Sequence, residues 1–213
     1  MVIRSGIRFS PRPGTARWFL RSIACAALLV ASADAKQPAT GERPALYAAL
    51  EKADAVVEGS ASPTRILYVF FDANCWFCHL TWMALQPYEK AGLQVRWVPV
   101  AYQKKSSTTK AAAIMQAKDR AAAMRENETK YRAKSYDGGM RPARKVPPEL
   151  LAQFEANMKL MEGFDSPGTP TLVWKDAAGK IKVEIGMPRL ALLPSITGLP
   201  EQKLDDPELK EFR

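Results

Sequence analysis

The stretch Ile66-Leu67-Tyr68-Val69-Phe70-Phe71 is followed, after three residues, by Cys75-Trp76-Phe77-Cys78-His79. Six consecutive apolar residues predict a strand that is buried on both faces of a sheet. Helix-forming residues continue over 80–85, so the two cysteines stand where a strand gives way to the N-terminus of a helix. That end of a helix favours a thiolate over a thiol, because it carries partial positive charge and unpaired N–H groups. We therefore interpret Cys75 as a nucleophile with an exposed sulfur and Cys78 as its more deeply buried resolving partner.

The first 35 residues have the pattern of a secretory signal peptide. Five arginines precede or border a short apolar run over 23–32, and Ala33-Asp34-Ala35 fits a small-residue cleavage site. The run is short for a transmembrane helix, although an uncleaved anchor is the alternative. Residues 1–35 hold 5 of the 31 basic residues and 1 of the 22 acidic ones, which leaves a net charge of +5 in place of +9. This mild charge gives little reason to expect a nucleic-acid partner.

Cysteine usage indicates working thiols in an oxidising compartment. The chain has three cysteines, and Cys25 lies inside the predicted signal peptide. An exported protein whose remaining cysteines form one close pair has no disulfide framework to hold a small fold together. With 47% hydrophobic and 25% charged residues, the composition is that of a globular domain, and we expect that domain in the periplasm.

The rest of the chain predicts an α/β domain with a mixed sheet. We expect an N-terminal segment over 36–63 that contains a linker-like helix at 44–58, and then a domain over 64–200. Ala-, Lys- and Glu-rich sequence predicts a helical subdomain inserted at about 104–163, and residues 201–213 have the composition of a charged, frayed tail. Further strands are predicted over 94–100, 171–174 and 181–185.

A second motif, Ser166-Pro167-Gly168-Thr169-Pro170, stands just before the strand at 171–174. The Thr169-Pro170 bond is a candidate cis peptide, and an ordinary trans loop is the alternative. In the cis form it would hold the Thr169 backbone facing the Cys75 sulfur. Its main-chain groups would then be available to hydrogen-bond a client peptide.

These features together resemble the thioredoxin-fold catalytic domain of the DsbC/DsbG-type periplasmic thiol–disulfide interchange proteins, over about residues 45–198. The resemblance implies a thioredoxin-like fold in which Cys75 attacks, Cys78 resolves, and Thr169 and Pro170 face them and bind substrate. It implies no cofactor beyond the redox-active Cys75–Cys78 disulfide. It also implies exported clients with disulfides or oxidised cysteines, and a membrane redox partner. That partner is of the DsbD type for a reductase or isomerase, and of the DsbB type for a DsbA-like oxidase.

Two departures from that family affect what can be expected. Members usually carry an N-terminal dimerisation domain, for which the residues between 36 and 65 leave little room, so we expect a monomer. Trp76 and Phe77 stand where the family tends to have Gly or Pro with Tyr, and this pair tunes the redox poise. The direction of electron flow therefore stays open. We also expect Trp76 and Phe77 to give an apolar rim for unfolded clients, and His79 is a candidate for tuning the thiolate.

Other classes of function fit parts of the same sequence. Cys75-Trp76-Phe77-Cys78-His79 matches the C-x-x-C-H attachment pattern of c-type haem, although a β-like run before it is unusual for a small helical cytochrome. A non-enzymatic chaperone with a permanent Cys75–Cys78 disulfide is a further alternative. A disulfide that closes so short a loop stabilises a fold little, because it removes little entropy from the unfolded chain. We expect no metal site, because Cys75 and Cys78 could supply two ligands and the chain has only one histidine, His79, to add to them.

Overall fold

A computed structural model describes residues 42–213, so the signal peptide predicted for residues 1–35 lies outside the described residues. One sheet has the strand order β1-β3-β2-β4-β5, in which only β2 and β3 run parallel. The strands are β1 (Val56–Gly59), β2 (Arg65–Phe71), β3 (Leu93–Pro99), β4 (Thr171–Lys175) and β5 (Ile181–Ile185).

Six α-helices and three short 3-10 segments complete residues 42–213. The helices are α1 (Glu42–Glu51), α2 (Trp76–Lys90), α3 (Ser107–Met115), α4 (Arg120–Thr129), α5 (Pro148–Gly163) and α6 (Leu193–Thr197), with 3-10 segments at Ala133–Ser135, Leu190–Leu192 and Pro207–Phe212. The strands predicted over 66–71, 94–100, 171–174 and 181–185 are present as β2 to β5 with bounds within one residue, and α3, α4 and α5 lie in the predicted helical insertion. Within the described residues, no helix has both the length and the apolar character that a membrane span requires.

The central strand β2 is covered on both faces, as its apolar sequence predicts. Leu67, Val69 and Phe71 pack with the buried side of α2, whereas Tyr68 and Phe70 pack with α1 and the end of α5. Because β2 and β3 are parallel, the loops that follow them leave the same edge of the sheet. The antiparallel strand β4 begins at that edge too, so three loops meet beside the cysteines.

The helix predicted for residues 44–58 is wrong beyond Glu51, where α1 ends. Val56–Gly59 is instead an edge strand that pairs antiparallel with β3. Val56 is buried and Val57 is exposed, which is the two-residue alternation of a strand. Helix α1 is also no free linker, because its Tyr47 ring packs edge-on against Tyr68 at 5.6 Å.

The frayed tail predicted for residues 201–213 is also wrong. The segment Pro207–Phe212 forms a 3-10 helix, and its Leu209 is buried in the core beside α2. Phe212 lies against Phe77 with 6.3 Å between ring centroids. Leu209 and Phe212 share one face because they stand three residues apart, and this spacing holds an otherwise charged segment on the protein.

Two glutamates, the buried Glu58 on β1 and the half-buried Glu89 on α2, have buried Oε1 atoms that make no hydrogen bond, although Arg125 lies 3.8 Å from the Oε1 of Glu58. Burial raises the pKa of Glu58 to about 7, although the Trp82 indole donates a hydrogen bond to its Oε2 at 2.9 Å. Burial, together with repulsion from Glu58, raises the pKa of Glu89 to about 8. An unfolded glutamate titrates near 4.3, so the folded state favours the protonated forms.

We expect the free energy of unfolding to fall as the pH rises, from above about 4.5 to about 8. A raised pKa in the folded state makes stability complete below the unfolded pKa, and this stability is lost as pH rises through the folded pKa. Glu58→Gln should raise the free energy of unfolding by about 3 kcal/mol at the upper end of this pH range, as the raised pKa of Glu58 implies. Urea unfolding at several pH values measures this. The exposed Glu155→Gln is the control, and equal pH slopes in the two variants would contradict the assignment.

Candidate active site

Cys75 is the N-cap residue of α2. Its backbone is extended, with φ −76° and ψ 118°, and its Sγ accepts a hydrogen bond from the backbone N–H of Cys78 at 3.2 Å. The sulfur therefore takes the place that a serine or aspartate oxygen usually occupies at a helix start. Negative charge on Sγ is favoured there by the N–H group and by the helix dipole.

The two thiols have opposite pKa shifts. Interaction with the Cys78 thiol is the largest influence on Cys75, and together with the Cys78 N–H, Thr169 and Gln103 it lowers the pKa of Cys75 against the effect of burial. Complete burial raises the pKa of Cys78 well above its usual value, and proximity to Cys75 adds to this effect. Cys75 is thus the better thiolate, and Cys78 retains its proton.

The Cys75 sulfur is not exposed, which corrects the sequence-based expectation. Only 2% of the residue is accessible, nearly as little as the 1% of Cys78. The loop before β4 lies over it, and the Cys75 thiol donates a weak hydrogen bond to the Thr169 carbonyl at 3.4 Å. A reacting disulfide must therefore enter between this loop and the start of α2.

The Thr169-Pro170 peptide bond is cis, the first of the two alternatives that the sequence leaves open. The structure brings Thr169 to the Cys75 sulfur and places the buried Pro170 at the start of β4. The Pro170 carbonyl accepts from the N–H of Gly186 at 2.8 Å, which ties this loop to the end of β5.

Two residues that the sequence did not single out, Tyr102 and Gln103, close around Thr169. The Thr169 N–H donates to Tyr102 Oη at 3.0 Å, and Tyr102 Oη and Thr169 Oγ1 share a hydrogen bond at 3.1 Å. Gln103 Nε2 donates to the same Oγ1 at 3.1 Å. Both residues follow β3, and only the parallel pairing of β2 with β3 brings them here, so no local motif marks them.

Asp72, directly after β2, holds these loops together. Its Oδ2 accepts from the backbone N–H groups of Tyr102 at 2.8 Å and Gln103 at 3.0 Å. Its Oδ1 accepts from the N–H of Asn74 at 2.9 Å and from the Ser107 hydroxyl at 2.8 Å. One carboxylate, 1% exposed, thus fixes the loop before Cys75, the loop after β3 and the start of α3.

Comparison with known proteins shows the family of the domain. A family model for the thioredoxin-like domain matches residues 50–189. The chain belongs to the thioredoxin-like family. Thiol:disulfide interchange protein DsbG of Pseudomonas aeruginosa is 29% identical over 154 residues, which are 72% of this chain and 59% of the relative. DsbG of Escherichia coli is 25% identical over 154 residues, 72% of this chain and 60% of that protein, so the chain spans about three fifths of the length of each.

Solved structures share the fold of this thioredoxin-like domain. A periplasmic thioredoxin-like protein from Salmonella enterica serovar Typhimurium is similar with a TM-score of 0.58 and 18% identity, over 76% of this chain and 97% of that one. ScsC of Proteus mirabilis in a transitional conformation is similar with a TM-score of 0.56 and 19% identity, over 76% of this chain and 80% of that one. At these identities the likeness shows the fold alone.

The two aromatic residues between the cysteines of the thioredoxin-like domain point in different directions. Phe77 is 49% exposed and meets Phe212, so it contributes to an apolar rim. Trp76 is half-buried and lies 5.6 Å from the ring of Tyr131, where it packs against the helical insertion. The expected aromatic rim is therefore built by Phe77 and the C-terminal segment, with Trp76 turned inward.

His79 contacts Glu128 and Tyr131 of the helical insertion. Its Nδ1 meets Glu128 Oε2 at 3.0 Å, and its ring stacks on Tyr131 at 4.6 Å with 10° between the planes. The role of His79 in tuning the Cys75 thiolate stays a prediction. Its Nε2 lies 3.8 Å from Glu208 Oε2. Within residues 42–213, no three His, Cys, Asp or Glu side chains converge as a metal site.

Cys75 should ionise below the pH of about 8.5 at which an ordinary cysteine does so. The reasons are its interaction with the Cys78 thiol, the hydrogen bond that the Cys78 N–H donates to its sulfur at 3.2 Å, and the nearby Thr169 and Gln103 side chains. Ultraviolet thiolate absorbance during a pH titration of the reduced protein measures this, and burial of the sulfur does not interfere. Cys75→Ser is the control, in which Cys78 should show no thiolate below that pH. A wild-type midpoint at the ordinary value would contradict the assignment.

Proposed function

We propose that this protein is a periplasmic thiol–disulfide oxidoreductase of the DsbG kind that acts on exported proteins. The observation that carries the proposal is the pairing of Cys75, whose pKa is lowered at the start of α2, with the buried Cys78, whose pKa is raised. The similarity to proteins named thiol:disulfide interchange protein supports it. The predicted signal peptide supports the location.

The exchange uses two sulfur atoms in turn. The Cys75 thiolate attacks one sulfur of a client disulfide, the client S–S bond breaks, and the departing client thiolate takes up a proton. Cys78 then loses its proton and attacks Cys75 Sγ, which releases the second client thiol and closes the Cys75–Cys78 disulfide. The client has gained two electrons and the dithiol has lost them. In an isomerase this last step does not occur. Another thiolate of the client attacks the mixed disulfide instead, which forms a new client disulfide and releases the Cys75 thiolate.

The direction of electron flow has two candidates. As a reductase or isomerase, the protein would be kept reduced by a membrane donor of the DsbD type. As a dithiol oxidase, it would be reoxidised by a quinone-linked partner of the DsbB type. One observation favours the second: the hydrogen bonds that stabilise the Cys75 thiolate stabilise the reduced state, which makes a pair more oxidising.

The reduction potential of the Cys75–Cys78 pair tests the function and its direction together. Equilibration with glutathione buffers and alkylation of the remaining thiols gives the potential, and turnover of a disulfide-bonded client gives the activity. A potential near that of DsbA, about −120 mV, would support an oxidase, and one nearer to thioredoxin, about −270 mV, would support a reductase. A pair that never exchanges with glutathione would refute the proposal and favour a structural disulfide.

A further inference from the structure

Both main-chain groups of Thr169 make hydrogen bonds within the reduced protein. Its N–H donates to Tyr102 Oη at 3.0 Å, and its carbonyl accepts from the Cys75 thiol at 3.4 Å. A peptide that adds to this loop as an extended strand needs such N–H and C=O groups for its own hydrogen bonds. The single N–H donor is thus closed to the client by Tyr102, whereas the carbonyl, which has two lone pairs, is only partly engaged by the Cys75 thiol.

We propose that Tyr102 is a latch, meaning that its Oη occupies the Thr169 N–H and must be displaced before a client segment can pair with this loop. The proposal rests on the function proposed above and assigns to Tyr102 a role in selecting clients. A segment that forms strong backbone pairing with Thr169 displaces the phenol. A segment that pairs poorly does not, and its disulfide stays away from Cys75.

The surroundings of Tyr102 suit a side chain that swings while its backbone stays fixed. Asp72 accepts a hydrogen bond from the Tyr102 N–H at 2.8 Å and thereby anchors the main chain. The side chain, in contrast, is held at its tip by Thr169, and the residue is 43% exposed. It lies over Gly168, where an added Cβ would come within 2.9 Å of Tyr102 Oη. The closed position therefore needs glycine at residue 168.

The two partners of Thr169 are released by different events. The Cys75 thiol can donate to the Thr169 carbonyl only while it carries a proton, so ionisation or attack on a disulfide frees the carbonyl. The Thr169 N–H is freed only when Tyr102 moves. Client binding must therefore replace the Tyr102 hydrogen bond, whereas the chemistry itself opens the carbonyl.

Tyr102→Phe tests the latch, because it removes Oη and keeps the ring. Tyr136→Phe, at a residue that is 57% exposed, is the matched control. One neutral hydrogen bond corresponds to roughly a twofold to tenfold change in an equilibrium. We expect the Thr169 amide to exchange its hydrogen faster by that factor in Tyr102→Phe, measured by NMR. The KM for a cystine-bridged peptide should fall by a similar factor, with a smaller change in kcat.

A merely structural role for Tyr102 predicts different results for Tyr102→Phe. It would lower kcat and stability without lowering KM. If Tyr102 is a latch, the reduction potential of the Cys75–Cys78 pair in Tyr102→Phe should stay close to that of the wild type, since Tyr102 Oη bonds to Thr169. Gly168→Ala should act in the same direction as Tyr102→Phe, because its methyl group displaces the tyrosine tip.

The outcomes separate the latch from the proposed function. No Cys75-dependent turnover in the wild type would refute the proposed function. In that case the dissociation constant of an extended peptide with serine in place of cystine still decides the latch, and Tyr102→Phe should bind it more tightly. Unchanged Thr169 amide exchange in Tyr102→Phe would overturn the latch. Faster exchange with unchanged KM and unchanged peptide affinity would overturn it too, because clients would then not use that N–H.

Discussion

Cys75→Ser should lower thiol–disulfide exchange to the uncatalysed rate. A serine hydroxyl can occupy the N-cap and can still bond to the Cys78 N–H, so the fold and the start of α2 should be retained. It cannot attack a disulfide, however, because its pKa keeps it protonated where the Cys75 thiolate forms. The measurement is the rate of reduction of a disulfide-bonded client in a glutathione buffer, with urea unfolding to show that the protein is folded.

The matched variant for this experiment is Cys78→Ser, which keeps the nucleophile and removes the resolving thiol. It should form mixed disulfides between Cys75 and its clients that persist, visible as higher-mass bands on non-reducing gels. Cys75→Ser should form none. If Cys75→Ser retained its effect on clients, the proposed exchange would be wrong, and the non-enzymatic chaperone would become the better hypothesis.

The sequence predicts the part of the site that is local in the chain. Cys75 and Cys78 stand at the junction of an apolar strand and a helix, and the thiol positions follow from that junction alone. Thr169 and Pro170 stand at the start of β4, which suggested that they come near the cysteines. The exposure of Cys75 could not be predicted in this way, because it depends on how closely the Thr169 loop approaches.

The residues that the sequence did not reveal act through space. Tyr102 reaches Thr169 only because β2 and β3 are parallel and end together. Two elements of the fold were also not predicted from the sequence. The strand β1 is only four residues long, and four residues separate it from the end of α1, so its alternation is too short to stand out. The C-terminal segment is held by Leu209 and Phe212, two apolar residues in a charged stretch whose partners are distant in the sequence.

Asp72→Ala should destabilise the protein by about 4 to 6 kcal/mol. The substitution leaves four donors without their acceptor, and each buried donor costs roughly 1 to 3 kcal/mol, partly relieved by relaxation. The four donors are the N–H groups of Asn74, Tyr102 and Gln103 and the hydroxyl of Ser107. Activity should fall as well, because these bonds hold both the loop before Cys75 and the loop that carries Tyr102. Urea unfolding measures the first effect, and client reduction below the unfolding midpoint measures the second.

Asp72→Asn keeps the size of the side chain and removes its charge and one of its two acceptor oxygens. Its carbonyl oxygen can accept from Tyr102 and Gln103, whereas its amide meets two donors, the Asn74 N–H and the Ser107 hydroxyl. The Ser107 oxygen cannot accept from this amide, because it already accepts from the Lys104 N–H and from Asn74 Nδ2. We expect a loss of about 2 kcal/mol and a folded protein in which activity can be measured. The exposed Asp205→Ala is the control, with a change within about 0.5 kcal/mol. If Asp72→Ala were no less stable than Asp205→Ala, the loops after β2 and β3 would be held by their own packing, and the carboxylate would not be what positions them around Cys75.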